Sequence, residues 1–136
     1  MNERTSSPHN FTFHKDHDAL LVRDVNKSAA FYSRIFGLEE IYSGGLGVKY
    51  RWFRFQDKVQ IHLIESEEHF EPHKGVHLAL NVNDLDAFME HLKVHHVHFE
   101  NWPGEAGTTN TRPDGIKQIY LQDPDGYWIE VNNNTL

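Results

Sequence analysis

Three observations predict an α+β fold made of two βαβββ modules: an internal repeat, a strand-to-helix change of hydrophobic period in each copy, and a shared turn-then-strand ending. The repeat is explicit. His17-Asp-Ala-Leu-Leu-Val-Arg-Asp-Val25 and His77-Leu-Ala-Leu-Asn-Val-Asn-Asp-Leu85 agree at five of nine positions, namely His, Ala, Leu, Val and Asp.

In each copy the shared stretch reads as a strand that ends at an Asp and leads into a helix. The first helix carries Ala30, Phe31, Ile35 and Phe36 and stops at Gly37; the second carries Leu85, Phe88, Met89 and Leu92. Asp24 and Asp84 stand where a carboxylate can cap the free N–H groups of a helix start. Strand-like runs follow at 38–43 and 48–55 in the first copy, and at 97–101 and 116–122 in the second. Each copy closes on a turn and an alternating strand: Asp57-Lys-Val-Gln-Ile-His-Leu63 matches Asp125-Gly-Tyr-Trp-Ile-Glu-Val131. The modules span 15–66 and 75–132, making one domain of 15–132 joined through the polar stretch 66–74. Each sheet has one face covered by its helix, so two bare faces turned toward each other would enclose a cavity.

Strand alternation sorts the side chains between these faces. Leu20 and Val22 oppose His17, Ala19 and Leu21; Ile61 and Leu63 oppose His62; Ile129 and Val131 oppose Glu130. The apolar sets belong against the helices, which leaves the imidazoles and the carboxylate on the concave side. The repeat makes His17 equivalent to His77, and His62 to Glu130. Imidazole nitrogen and carboxylate oxygen suit a divalent Zn, Ni, Co, Mn or Fe ion, so His17, His62, His77 and Glu130 are the expected metal ligands. A metal open on one side can take two neighbouring oxygens of a substrate and stabilise an enediolate or alkoxide, or activate oxygen.

Composition narrows the partners. A net charge of −7 over 136 residues disfavours nucleic acid and anionic membrane. With no cysteine, disulfides and thiolate chemistry are excluded. Residues 1–14 lack the apolar core of a signal peptide and read as a frayed start, so the expected location is the cytoplasm. His91, His95, His96 and His98 are read as solvated surface. VKYRWFRF at 48–55 is an ordinary half-buried strand whose Arg51 or Arg54 could meet an anionic group. The turn-rich 104–115 stretch, GEAGTTNTRPDG, is a mobile lid or a plain surface loop.

Several motifs carry a family resemblance: His17-Asp-Ala-Leu with Ser28-Ala-Ala-Phe-Tyr and Phe36-Gly-Leu, then Val76-His-Leu-Ala-Leu, then Gln122-Asp-Pro-Asp-Gly-Tyr-Trp-Ile-Glu130. The chain thereby resembles the glyoxalase/bleomycin-resistance/dioxygenase (vicinal oxygen chelate, VOC) superfamily, and its last segment looks much like that of glyoxalase I. The resemblance implies metal ligands at His17 and His77, at the starts of the first and fifth strands, and at His62 and Glu130 in the fourth and eighth. It also implies a homodimer, and a catalytic role for Glu130 in moving a substrate proton. Glyoxalases usually carry Glu where this chain has His62.

The leading expectation is a metal-dependent, glyoxalase-like lyase or isomerase of lactoylglutathione lyase type, acting on a small substrate that chelates the metal through vicinal oxygens. Alternatives are an Fe(II) ring-cleaving dioxygenase, a fosfomycin-type thiol transferase or hydrolase with Lys49, Arg51, Arg54 and Lys117 as candidate anion-binding cations, and a metal-free antibiotic-binding module.

Overall fold

The computed structural model describes residues 10–68 and 70–135; most of the expected frayed start lies outside them. The first module runs β1 (His17–Val22), α1 (Val25–Phe36), β2 (Glu39–Ile41), β3 (Tyr50–Arg54) and β4 (Gln60–Glu65). The second runs β5 (His77–Asn81), α2 (Leu85–Val94), β6 (Phe99–Glu100), β7 (Asn110–Thr111), β8 (Lys117–Gln122) and β9 (Trp128–Asn132). The sheets have the orders β1-β4-β3-β2 and β5-β9-β8-β6, with β7 added beside β8. In each sheet the first and last strands of the module pair in parallel, β1 with β4 and β5 with β9.

The helices begin and end where the sequence predicts. Asp24 accepts from the N–H groups of Asn26 and Lys27, and Asp84 from that of Ala87. Such caps are each worth about 1 kcal/mol. Gly37 closes α1 at φ 63°, a left-handed conformation that glycine adopts without a Cβ penalty. The predicted alternation also holds. Val22, Ile61, Leu63, Ile129 and Val131 are buried in one core with Val25, Ala29, Ile35, Leu85 and Leu92 of the helices.

Several expected elements come out shorter or differently tied. The run at 38–43 pairs only over Glu39–Ile41, because two glycines at positive φ, Gly44 and Gly45, turn the chain immediately after it. The 104–115 stretch, expected as a lid or plain loop, contains β7 and is fastened at several points. Asn101 Oδ1 accepts from the N–H groups of Gly104 and Glu105, and Asn110 joins Trp102 N–H to the Gln118 side chain. His91, expected at the surface, is half-buried, with Nε2 3.0 Å from the Ile35 carbonyl of α1.

The Asp123–Tyr127 turn joins the two modules. Tyr32 of α1 donates to Asp123 at 2.7 Å, Ser28 and the Arg23 N–H donate to Asp125, and the Tyr127 hydroxyl donates to the Leu21 carbonyl of β1. Phe36 of α1 and Phe88 of α2 stack at 5.6 Å. No helix among the described residues is long and apolar enough to cross a membrane.

Burial raises the Asp123 carboxyl from 3.8 to about 6, against the lowering effect of hydrogen bonds from Tyr32 and from the N–H groups of Tyr127 and Asp125. An acid whose folded pKa lies above its unfolded value binds its proton more tightly when folded. Its contribution is therefore whole below pH 3.8 and is lost as pH rises through about 6, by up to about 3 kcal/mol. Urea unfolding at pH 4.5 and 7.5 checks this. Asp123→Asn should gain stability relative to the native chain by about 1–3 kcal/mol over that interval. A difference that stays constant, or that reverses sign, contradicts the assignment.

Candidate metal centre

The four candidate ligands occupy the sheet faces turned away from the helices, as alternation requires, but they form two pairs. In the first module, His62 on β4 lies between two rings. The His17 ring stacks on it at 3.8 Å and 15°, and the Trp52 indole at 3.7 Å and 2°. The register explains the contacts, because Ala19 of β1 and Trp52 of β3 flank His62 as its direct strand partners. In the second module His77 Nε2 stands 3.2 Å from Glu130 Oε1.

The sequence leaves open whether one chain or two would bring the four residues together, and within this chain the two pairs stay apart. Among the described residues no three His, Asp or Glu side chains converge as a metal-holding group. Contacts between the modules run instead through α1, α2 and the 123–127 turn, so the helices and turn meet while each bare face keeps its own pair. Two surface hollows, of about 240 and 490 Å³, are lined by none of the four residues.

Each pair is prepared for a cation. The His77 Nδ1 lies 2.7 Å from the Lys74 carbonyl. A carbonyl only accepts, so Nδ1 carries the proton and, in the neutral ring, Nε2 presents a lone pair. That lone pair faces a carboxylate oxygen, another acceptor, across 3.2 Å. Two acceptors at this distance repel unless a proton or a metal ion lies with them. The equivalent His17 has the same polarity: its Nδ1 is 2.6 Å from Asp16 Oδ2, leaving Nε2 free. An imidazole whose far nitrogen is held by a carbonyl or carboxylate is the usual arrangement of a metal-binding histidine. His62 has Nε2 2.7 Å from Gln60 Oε1, and burial, then the neighbouring His17, lowers its pKa, which favours the neutral ring that a metal needs.

Glu130 is 5% exposed and held by three side chains. Gln118 and Asn132 donate to Oε2 at 2.9 and 2.8 Å, and the Tyr120 hydroxyl donates to Oε1 at 3.1 Å. Burial alone would raise its pKa; hydrogen bonds from Asn132, Gln118 and Tyr120 outweigh burial and lower it, joined by the charge that His77 carries when protonated. The carboxylate is thus stabilised as an anion, which suits a ligand better than a proton acceptor. Burial first, then Glu130, pushes the Tyr120 phenol up to about 12, so the hydroxyl stays a donor.

The candidate anion-binding arginines are already engaged. Arg51 faces the helix side, paired with Glu40 and hydrogen-bonded to Asn26, and Arg54 pairs with Glu39. Sequence reasoning missed Trp52, Gln118, Tyr120 and Asn132. The signal was available for all four: Trp52, Gln118 and Tyr120 share a candidate ligand's face in a directly paired strand, and Asn132 shares Glu130's face two residues along the same strand.

Known proteins share this architecture. The Glyoxalase/Bleomycin resistance protein/Dioxygenase superfamily matches residues 14–131. The uncharacterized protein YwbC of Bacillus subtilis is 29% identical over 123 residues, covering 85% of this chain and 93% of its own. The fosfomycin resistance protein FosX of Listeria innocua is 26% identical over 124 residues, covering 88% and 89%. A crystal structure of FosX from Listeria monocytogenes aligns with TM-score 0.75 and 26% identity over 92% of this chain and 94% of that one. A variant of that FosX, aligned with TM-score 0.75 and 26% identity over 93% and 95%, was crystallised with Mn(II) and 1S,2S-dihydroxypropylphosphonic acid. With a βαβββ module, a second module that adds one short strand to the same plan, and a match over nearly its whole length, the chain belongs to the glyoxalase/bleomycin-resistance/dioxygenase superfamily.

Proposed function

We propose that this chain is a metal-dependent enzyme, of glyoxalase-like lyase or isomerase type, working as a homodimer in which His17 and His62 of one copy meet His77 and Glu130 of the other. The observation that carries the reading is His77 Nε2 standing 3.2 Å from Glu130 Oε1 while its Nδ1 already faces the Lys74 carbonyl, a contact that a proton or a metal ion would relieve. The second observation is that the four candidate ligands stand as two pairs on two bare faces. A second copy of the same surface supplies what each face lacks, and two-fold pairing would make two identical sites.

A divalent transition metal held there would supply a Lewis acid for two neighbouring substrate oxygens and steady the negative charge that develops on one of them. The protein's own part is to orient and to exclude water. Trp52 and Tyr120 wall the two pairs, the Lys74 carbonyl fixes the His77 tautomer, and Gln118 and Asn132 keep Glu130 ionised. Since those donors make Glu130 a weak base, we assign it to metal binding first; proton transfer would fall to a group of higher pKa. With three neutral imidazoles and one carboxylate, the site would keep formally one positive charge, which strengthens polarisation of a substrate oxygen.

A second reading, opening of an epoxide such as fosfomycin, is supported by the likeness to FosX and by the Mn(II) and dihydroxy phosphonate in that relative. Against it, two of the four candidate cations, Arg51 and Arg54, are already paired with Glu40 and Glu39, so a phosphonate would have to compete for them. Mn(II)-loaded protein should therefore consume fosfomycin, with or without thiol, no faster than the metal alone. Rapid consumption would put the epoxide reading first.

The metal site is tested by elemental analysis of protein purified without added metal. The native chain should hold about one transition metal per chain, and His62→Ala and Glu130→Ala should lose it. Sharing between copies is tested with two double variants, His17→Ala/His62→Ala and His77→Ala/Glu130→Ala. Each alone should be empty, while co-expression should restore metal in the mixed dimer, where one complete set of ligands reassembles. A native chain that binds no metal after reconstitution defeats the enzyme reading. Metal in the native chain without restoration in the mixture defeats the shared site.

A further inference from the structure

Lys74 is a side chain that the proposed chemistry does not require, and yet it is held more tightly than any lysine near the sheets needs to be. It lies in the irregular segment before β5, three residues ahead of His77. Its Nζ donates to Glu100 Oε2 at 2.6 Å, to the Asn101 carbonyl at 2.9 Å and to the Trp102 carbonyl at 3.0 Å, which uses all three of its N–H bonds. The same ammonium lies 4.9 Å from the Trp128 ring, 5.2 Å from Tyr120 and 5.6 Å from Trp102. Its side chain is only 18% exposed.

Immobilising a lysine costs side-chain entropy. Charge-assisted bonds and cation–π contacts offset that cost, and together they define one position for the backbone at residue 74. From that position the Lys74 carbonyl accepts the His77 Nδ1–H at 2.7 Å. Other ties of the segment are local: the Gly75 and Val76 N–H groups bond only to His73. The cage walls also belong to the metal half-site. Trp128 is the strand partner of His77, and Tyr120 both packs edge-on against His77 at 5.5 Å and donates to Glu130.

We propose that Lys74 is a positioning residue: its caged ammonium fixes the carbonyl that holds the His77 tautomer and directs Nε2 toward Glu130. This rests on His77 being a metal ligand. It adds a tether that runs from β6 through the segment before β5 to the imidazole, with Glu100 as its anchor.

The test uses the full-length chain and Mn(II) alone. Lys74→Met keeps the aliphatic stem and removes the three donors. It should bind Mn(II) about 10–100-fold more weakly, as loss of a histidine's outer hydrogen-bond support commonly does, while retaining a cooperative unfolding transition. In the metal-free protein, nitrogen-15 spectra should show the single His77 tautomer of the native chain replaced by a mixture. Glu100→Gln, which weakens the anchor but leaves Lys74 in place, should give a smaller change of the same sign, and it substitutes if Lys74→Met fails to fold. His98→Ala, which touches only the far side of Glu100, should bind Mn(II) as the native chain does. Native Mn(II) affinity in Lys74→Met or, where that variant does not fold, in Glu100→Gln overturns the proposal while leaving the metal site intact. If the native chain binds no Mn(II), the metal reading fails separately. The tautomer then decides on its own: an unchanged single tautomer in the variants overturns the tether, and a mixture supports it.

Discussion

The pleat of the two terminal strands, β4 and β9, is the constraint on which the rest of the structure depends. Each is paired on both sides, β4 between β1 and β3 and β9 between β5 and β8. Alternate residues must therefore leave in opposite directions with no freedom to slip, because a one-residue shift would move Ile61, Leu63, Ile129 and Val131 out of the core. The burial of those four side chains fixes where His62 and Glu130 point. A polar residue at 7% or 5% exposure is tolerable only because neighbours on the same face supply its partners: Gln60 of its own strand bonds His62 while Trp52 covers the ring, and Gln118 and Tyr120 of β8 with Asn132 of β9 surround Glu130. Packing energy on one face thus holds a carboxylate favoured as the anion and the imidazole of His62 on the other.

The joint between the modules follows from the same division. Because the apolar faces are used up against α1 and α2, the modules meet through helix ends and through the Asp123–Tyr127 turn, whose carboxylates accept from the backbone and side chains of the first module. The polar contacts of this joint are directional, and beside the Phe36–Phe88 stack they set the two sheets in a defined relation. The joint also explains why Asp123 is buried at the cost of a raised pKa. The carboxylate satisfies the turn's own N–H groups and reaches Tyr32 at once, so the turn motif and the joint are one structure.

Much of this was legible in the sequence. The repeat gave both modules, the aspartate caps and Gly37 gave the helix ends, and period-two alternation assigned the face of each candidate ligand correctly. Less legible was anything set by a contact between elements. Alternation states on which face His62 and Glu130 lie, but not whether two faces of one chain approach each other, which depends on the joint at Tyr32, Asp123 and Asp125. The shape of 104–115 was hidden for a similar reason. Its composition reads as loop, while its attachment comes from Asn101 and Asn110 side chains bonding backbone several residues away. Lys74 is hardest of all to read, because a lysine in a polar linker has no signal until three distant rings are seen around it.

The exchange of Glu for His at position 62 changes more than the formal charge of the proposed site. A carboxylate there would sit against the Trp52 indole as an anion on the face of an electron-rich ring, an unfavourable contact. A neutral imidazole stacks on that ring nearly parallel and on His17 as well, so His62 and Trp52 fit one another as a pair. The stack limits the rotamers open to His62, so the ring is held before any ion arrives. Glu130, its symmetry equivalent, is held by hydrogen bonds rather than by stacking. The two halves of the repeat therefore hold their candidate donors in different ways. One fixes a neutral donor by ring contact, the other fixes a charged donor by dipoles. On the proposed reading, such a site polarises a substrate oxygen strongly and removes protons poorly, which separates its chemistry from that of a relative with two carboxylates.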